Sequence, residues 1–324
     1  MAPVTRKTTR TTTTTRTHKV EVEGKVEVKT KTQATATASG ICFLCSLAAF
    51  TLVALDQKYT KGLQTRLDLP TYAYVAKYKT YFSTSVWECL EESQYLQHLS
   101  GIRVAEAFSK IVLSKVTLGK LLSNAPVIIA ALSSGFIALY HCVSLLRVLQ
   151  ANQFKFRRAS IGATSGSTHV KGVLRFALIV LFGYFCGGKG FGRDTIVMES
   201  LKDYFGRARP PSSSEMRSLA FPSGHTNGAS FFVGTLWTLM LPNFFDGVKR
   251  SKTKQVLQVV LLDGVSWCLW WACLVGATAA GRVASEKHWV SDTIAGALFG
   301  VLTTSILCKA CIRTETFISK HKTM

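Results

Sequence analysis

The chain has 324 residues, with 39 Lys and Arg against 18 Asp and Glu, a net charge of +21, and 48% hydrophobic residues. That apolar content excludes wholesale disorder. The 19 Phe, 6 Trp and long uncharged runs exclude an ordinary basic nucleic-acid binder and point to a bilayer, whose hydrocarbon core takes about 20 apolar residues per helical span.

Residues 1–37 form a Thr/Lys/Arg-rich tail, with nine Thr in the first seventeen positions, and are expected to be solvated and unfolded. Six apolar segments follow, at roughly 38–55, 125–146, 171–188, 224–241, 256–280 and 293–308. The expected fold is therefore all-α: six transmembrane helices in a bundle spanning 38–311, with a short tail at 312–324. Between the first two segments lies a long loop, 56–124, Tyr-rich at first and then amphipathic over 102–116. Arg175 sits near the start of segment three, where a long cation snorkels to the interface. Asp263, inside segment five, is expected to cap a helix or bond between helices. Cys42, Cys45, Cys308 and Cys311 read as two CxxC pairs, but without zinc spacing or a nearby His they are expected to be packing residues.

Loop charge sets the orientation. The 147–170 loop carries Arg147, Lys155, Arg157 and Arg158 without an acid, and the tail 1–37 adds eight cations, so these face the cytosol. The loops joining segments three to four and five to six then share the non-cytosolic edge. Three clusters fall there: Lys202 to Arg209-Pro210, Pro222-Ser223-Gly224-His225, and Arg282 to His288 and Asp292. Cations, two His and one Asp suit a phosphate dianion. Lys and Arg neutralise its oxygens, Arg with a planar fork. Ser223 and Gly224 open a helix whose amides face an anion. His288 and Asp292 share a helical face at i,i+4, so a carboxylate can orient an attacking imidazole. His225, from another segment, is placed to protonate a leaving oxygen.

These residues resemble the type 2 phosphatidic acid phosphatase (PAP2) superfamily, whose pattern is K-x6-RP, PSGH and SR-x5-H-x3-D. The resemblance covers roughly 170–310 and includes the six-span layout. It implies an integral-membrane lipid phosphate phosphatase working through a phosphohistidine at His288, oriented by Asp292, with His225 as acid. Lys202, Arg209, Arg282, Ser223 and Gly224 are the implied phosphate clamp. It implies no cofactor and no metal. The partners expected are a lipid phosphate substrate and membrane lipids, not nucleic acid. The substrate expected is a phosphatidate-like monoester, releasing a dephosphorylated lipid such as diacylglycerol. Lipid or isoprenoid diphosphates, phosphotransfer, and a non-catalytic anion-binding or transport protein are the alternatives. Endoplasmic reticulum or plasma membrane is the expected location, with a plastid or other organelle as alternative. Arg207 and Lys287 are expected to touch headgroups. Gly281 stands where the pattern has Ser, and Gly281→Ser is expected to leave activity intact or raise it.

Overall fold

The structure is a computed structural model that describes residues 43–77, 83–85, 117–154, 163–187, 189–190, 193–213, 218–247 and 252–321. The N-terminal tail and the amphipathic stretch 102–116 lie outside the described residues. The elements are α1 (43–55), α2 (Leu69–Ala76), α3 (Leu118–Phe154), α4 (Ala163–Cys186), a two-strand hairpin β1 (Lys189–Gly190) and β2 (Arg193–Asp194), α5 (Ile196–Phe205), α6 (Gly224–Thr235), α7 (Leu241–Gly247), α8 (Lys252–Leu262), α9 (Gly264–Ala284) and α10 (Val290–His321). Three π-helical turns, Asp56–Thr60, Gln64–Asp68 and Leu236–Met240, complete the set.

Among the described residues, four helices are long and apolar enough to cross a membrane: Leu118–Gln150, Ser167–Cys186, Gly264–Ala284 and Val290–Phe317. The protein is an integral membrane helical bundle. Leu132, Phe136, Leu139, Leu146, Val180, Leu181, Val265 and Leu269 are exposed on these helices, and lipid tails solvate such a belt where water would not. The fourth apolar segment is helical from 224 to 247 but switches to a π turn at Leu236–Met240. The fifth is cut into α8 and α9 at Asp263, which caps α9 by accepting from the Val265 amide at 3.2 Å, as expected of it. The second is longer than its apolar run: α3 starts at Leu118 and carries Pro126, so the end of the expected 56–124 loop is already helix.

Helix α10 is the centre of the bundle, with 56% of its most apolar window buried against 17–28% in the other three spans. Its main neighbour is α6, and the two approach backbone to backbone because small residues face each other. A Cβ on Gly296 would strike the Ser223 carbonyl, and one on Gly300 would strike Ser230 and lie 2.7 Å from the Asn227 carbonyl. Phe231, Val233, Met240, Ile179 and Leu307 fill the core beneath.

At the end of the bundle remote from the three motif clusters, Arg175 turns inward. Its Nε donates to Glu315 Oε1 at 2.7 Å and its Nη1 to the Leu239 carbonyl at 3.1 Å. The snorkelling expectation is corrected: the Leu236–Met240 π turn shifts the hydrogen-bond ladder and presents a carbonyl to the guanidinium, and Glu315 neutralises it.

Candidate active site

The three clusters meet at one end of the bundle. The start of α6, the end of α9 with the turn before α10, and the end of α5 with the segment after it supply them. Ser223 donates its amide to the Asp292 carbonyl at 2.9 Å, tying α6 to α10. Arg209 ties the α5 segment to the turn: its Nη1 donates to the Lys287 carbonyl at 2.6 Å, and its Nε to the Ser218 carbonyl and hydroxyl at 3.0 and 2.9 Å. The turn itself is tight, with the Ser285, Glu286 and Lys287 amides returning to Gly281, Val283 and Arg282 carbonyls and Glu286 at φ 53°. It delivers His288 into the interior.

His288 is 2% exposed and faces different groups with its two nitrogens. Nε2 lies 3.2 Å from Arg209 Nη1. A guanidinium only donates, so Nε2 carries the lone pair and the ring proton sits on Nδ1. Nδ1 is buried without a hydrogen-bond partner among the described residues and lies 3.6 Å from Asp292 Oδ2. Burial above all, then the charges of Arg282, Arg209, Lys202 and His225, holds the imidazole pKa well below its ordinary 6.5. The ring is therefore neutral and nucleophilic near pH 7.

The implied clamp residues are all present. Arg209, Arg282 and Lys202 are 8%, 3% and 5% exposed, and each acts electrostatically on His288. Lys202 is also engaged by Asp194, at 2.6 Å, an acid of β2 that the motif pattern does not contain. His225, half-buried on the first turn of α6, faces the same space. Ser223 is the residue before α6, but its hydroxyl meets Thr226 Oγ1 at 3.1 Å and its amide is spent on Asp292. The Ser223 amide is therefore not available to an anion, which corrects the expectation for the Ser223 backbone.

Arg207 is also corrected. Instead of reaching a headgroup, it is buried, donating from Nη1 to Asp292 Oδ1 at 2.7 Å and Ser291 Oγ at 2.6 Å, and from Nη2 to Asp68 Oδ2 at 2.6 Å. The Asp292 Oδ2 atom accepts the Trp289 amide at 2.8 Å. Asp68 further accepts the Ser291 amide at 2.9 Å and the Ser291 hydroxyl at 2.6 Å. The stretch holding Asp68 docks on the site at two more points. Tyr72 packs on the Trp289 ring and meets Ser212 Oγ at 3.0 Å, and Lys58 donates to the Tyr204 carbonyl at 3.1 Å. Asp68 lies 139 residues from Arg207, in a segment with no motif, and no spacing signal links them.

Gly281 has a packing role. A Cβ there would lie 2.7 Å from the Ser123 amide nitrogen, 2.8 Å from the Gly119 carbonyl oxygen and 2.9 Å from Leu122 Cβ, so α9 touches the backbone of α3 one residue before Arg282. The expectation that Ser fits harmlessly is withdrawn, because the atoms it would meet are backbone.

The comparisons agree with the motifs. No curated protein and no solved structure matches the chain. The model of the PAP2 superfamily matches residues 172–316, a stretch that holds all three clusters. Such a match supports phosphatase-type activity on phosphate esters generally. Over residues 172–316 the chain is similar to the PAP2 superfamily, a match consistent with a PAP2-type membrane phosphatase.

Proposed function

We propose that the protein hydrolyses phosphate monoesters of lipids, of phosphatidate type, through a phosphohistidine at the non-cytosolic membrane edge. The observation that carries this reading is His288 itself: a buried, neutral imidazole whose Nε2 lone pair is held by Arg209 among the charges of Arg282, Lys202 and His225. A phosphate dianion entering there takes over the cations and meets Nε2 in line. The N–P bond forms as the bond from phosphorus to the ester oxygen breaks, and His225 gives that oxygen its proton. The ring, now cationic, keeps its proton on Nδ1 facing Asp292 Oδ2. Water then attacks phosphorus, the N–P bond breaks, and inorganic phosphate leaves.

A site at the end of an apolar bundle, where helix ends meet solvent, favours a substrate with its phosphate in the site and its tails in the bilayer. A purely anion-binding protein needs no oriented imidazole, and the His288, Asp292 and His225 set therefore favours turnover. The test is phosphate release from phosphatidate in detergent micelles by the full chain and by His288→Ala. The variant is expected to lose at least ~10³-fold in rate while eluting and melting as a folded protein, in the range seen when a catalytic nucleophile or its electrostatic support is removed. Release by His288→Ala at the wild-type rate refutes the nucleophile. Release from water-soluble monoesters but not from phosphatidate refutes the lipid assignment.

A further inference from the structure

The reading of His288 as nucleophile does not account for one buried charge cluster, formed by Asp68, Arg207 and Asp292 with Ser291. The Asp68 and Asp292 side chains are 0% exposed and that of Arg207 is 4% exposed. Two carboxylates share one guanidinium, so the cluster carries a net charge of about −1 if all three are ionised, away from water. Such an arrangement is costly to bury unless something offsets it. It abuts the one ring atom that needs an anion: Asp292 Oδ2 lies 3.6 Å from Nδ1, which has no hydrogen-bond partner among the described residues.

We infer that Asp68 is a positioning residue for the phosphoryl-transfer step, drawn from the segment ahead of the PAP2 stretch, and that it acts through Arg207 on Asp292. With Arg207 and Asp292 alone, the guanidinium charge would be cancelled by the very carboxylate that must compensate the imidazolium. Asp68 takes the second half of the guanidinium, through Nη2, and leaves Asp292 with surplus negative charge. That surplus is matched only once Nε2 has bonded to phosphorus and the ring has become cationic, so it favours the phosphorylated state over the resting one. Asp68 also fixes where Asp292 stands. Its Oδ1 accepts the amide of Ser291, in the first turn of α10, and Asp292 is the next residue. Asp68 is therefore part of the active site although it lies outside the matched stretch.

This inference rests on the phosphohistidine reading, and the experiment separates the two. Full-length protein in detergent micelles is given ¹⁸O-labelled inorganic phosphate, and loss of label to water is followed. His288 Nε2 bonds to phosphorus, one oxygen leaves as water with a proton from His225, and solvent water returns unlabelled oxygen as the N–P bond breaks. The readout needs no knowledge of the natural substrate. Wild type exchanges and His288→Ala does not; exchange undiminished in His288→Ala, or none in wild type, overturns the nucleophile and this inference with it. Asp68→Asn, nearly isosteric, is expected to exchange 10- to 100-fold more slowly, with less than a twofold change in the phosphate concentration giving half the maximal rate. Lys58→Gln, which loosens the same segment at its exposed contact with Tyr204, is expected to exchange at the wild-type rate. The double variant Asp68→Asn/Arg207→Gln is expected to be no slower than Arg207→Gln alone, because an acid that balances a cation has nothing to balance once the cation is gone. A wild-type rate in Asp68→Asn, alongside an inactive His288→Ala, refutes the role of Asp68. So does a double variant slowed by the full product of the two single losses, the signature of a helix cap and nothing more. Should Asp68→Asn not accumulate in folded form, the comparison of the double variant with Arg207→Gln decides alone.

Discussion

Helix α9 contains two glycines that the structure treats oppositely, and replacing each gives an internally controlled test. At Gly276 an added Cβ meets nothing within 4 Å, whereas at Gly281 it meets the Ser123 nitrogen at 2.7 Å and the Gly119 oxygen at 2.8 Å. Those two atoms belong to the backbone of α3, whose helical hydrogen bonding leaves them no rotamer to adopt. One helix must retreat by several tenths of an ångström. Gly276→Ala therefore collects only the helix-propensity gain, about 0.5–1 kcal/mol. Gly281→Ala collects the same gain against overpacking strain of about 1–3 kcal/mol. The two variants differ by that strain, and with ~2 kcal/mol as its centre the gap in Tm is about 4–8 °C, using the slope of a domain of comparable size. Activity is expected to separate them further. Arg282, the proposed clamp residue, follows Gly281; a full ~1 Å misplacement can cost ~10²-fold in rate, so a shift of several tenths of an ångström is expected to cost less than that. The assay is thermal unfolding in one detergent together with phosphate release, on Gly276→Ala, Gly281→Ala and Gly281→Ser. Gly281→Ser with wild-type Tm and rate would show that α3 and α9 adjust freely at this contact, and the close-approach argument would fall.

Acid titration offers a second check. The folded His288 imidazole stays neutral below 6.5, where the unfolded one takes up a proton, so the unfolded state binds more protons and the fold loses stability as pH drops through about 6.5 and beyond. Above that window the contribution is absent. Tm measured from pH 7.5 down to 5.5 should fall more steeply in wild type than in His288→Asn, and the acid limb of kcat/KM assigned to this ring should lie below 6.5. Equal slopes would mean that His288 protonates normally in the fold. At the far end of the bundle, Glu315→Gln removes the anion beside Arg175, whose side chain is 18% exposed. A loss of about 1–3 kcal/mol is expected from the weakened charge-assisted bond, with phosphate release at saturating substrate unchanged. A matching fall in turnover would show that the two ends of α10 are coupled.

The sequence was informative where chemistry is carried by residue type at fixed spacing. His288, Asp292, His225, Lys202, Arg209 and Arg282 converge as the motif order and the shared membrane edge imply, and Asp263 caps as an acid before a glycine-led helix should. The missing parts depend on distance through space. Asp68 stands in a Tyr-rich stretch whose helical turns are too short and irregular to show periodicity, and its partners lie 139 and 223 residues away. Arg207 lies two residues before Arg209, and only the fold distinguishes the buried network of the first from the His288 contact of the second. The π turn at Leu236–Met240 leaves no compositional trace, so neither the Leu239 carbonyl nor the inward turn of Arg175 toward it is foreseeable. Gly281 reads as a lost hydroxyl until α3 is seen against it.

The bare surfaces of Gly296 and Gly300 bear on the reaction in another way. His225 rides on one of the two helices that touch there, and His288 is hinged to the other. The spacing between those two imidazoles is thus set in part by two missing side chains, at Gly296 against Ser223 and at Gly300 against Ser230. A methyl at either position would act as a shim, prying the two helices apart and moving one imidazole relative to the other.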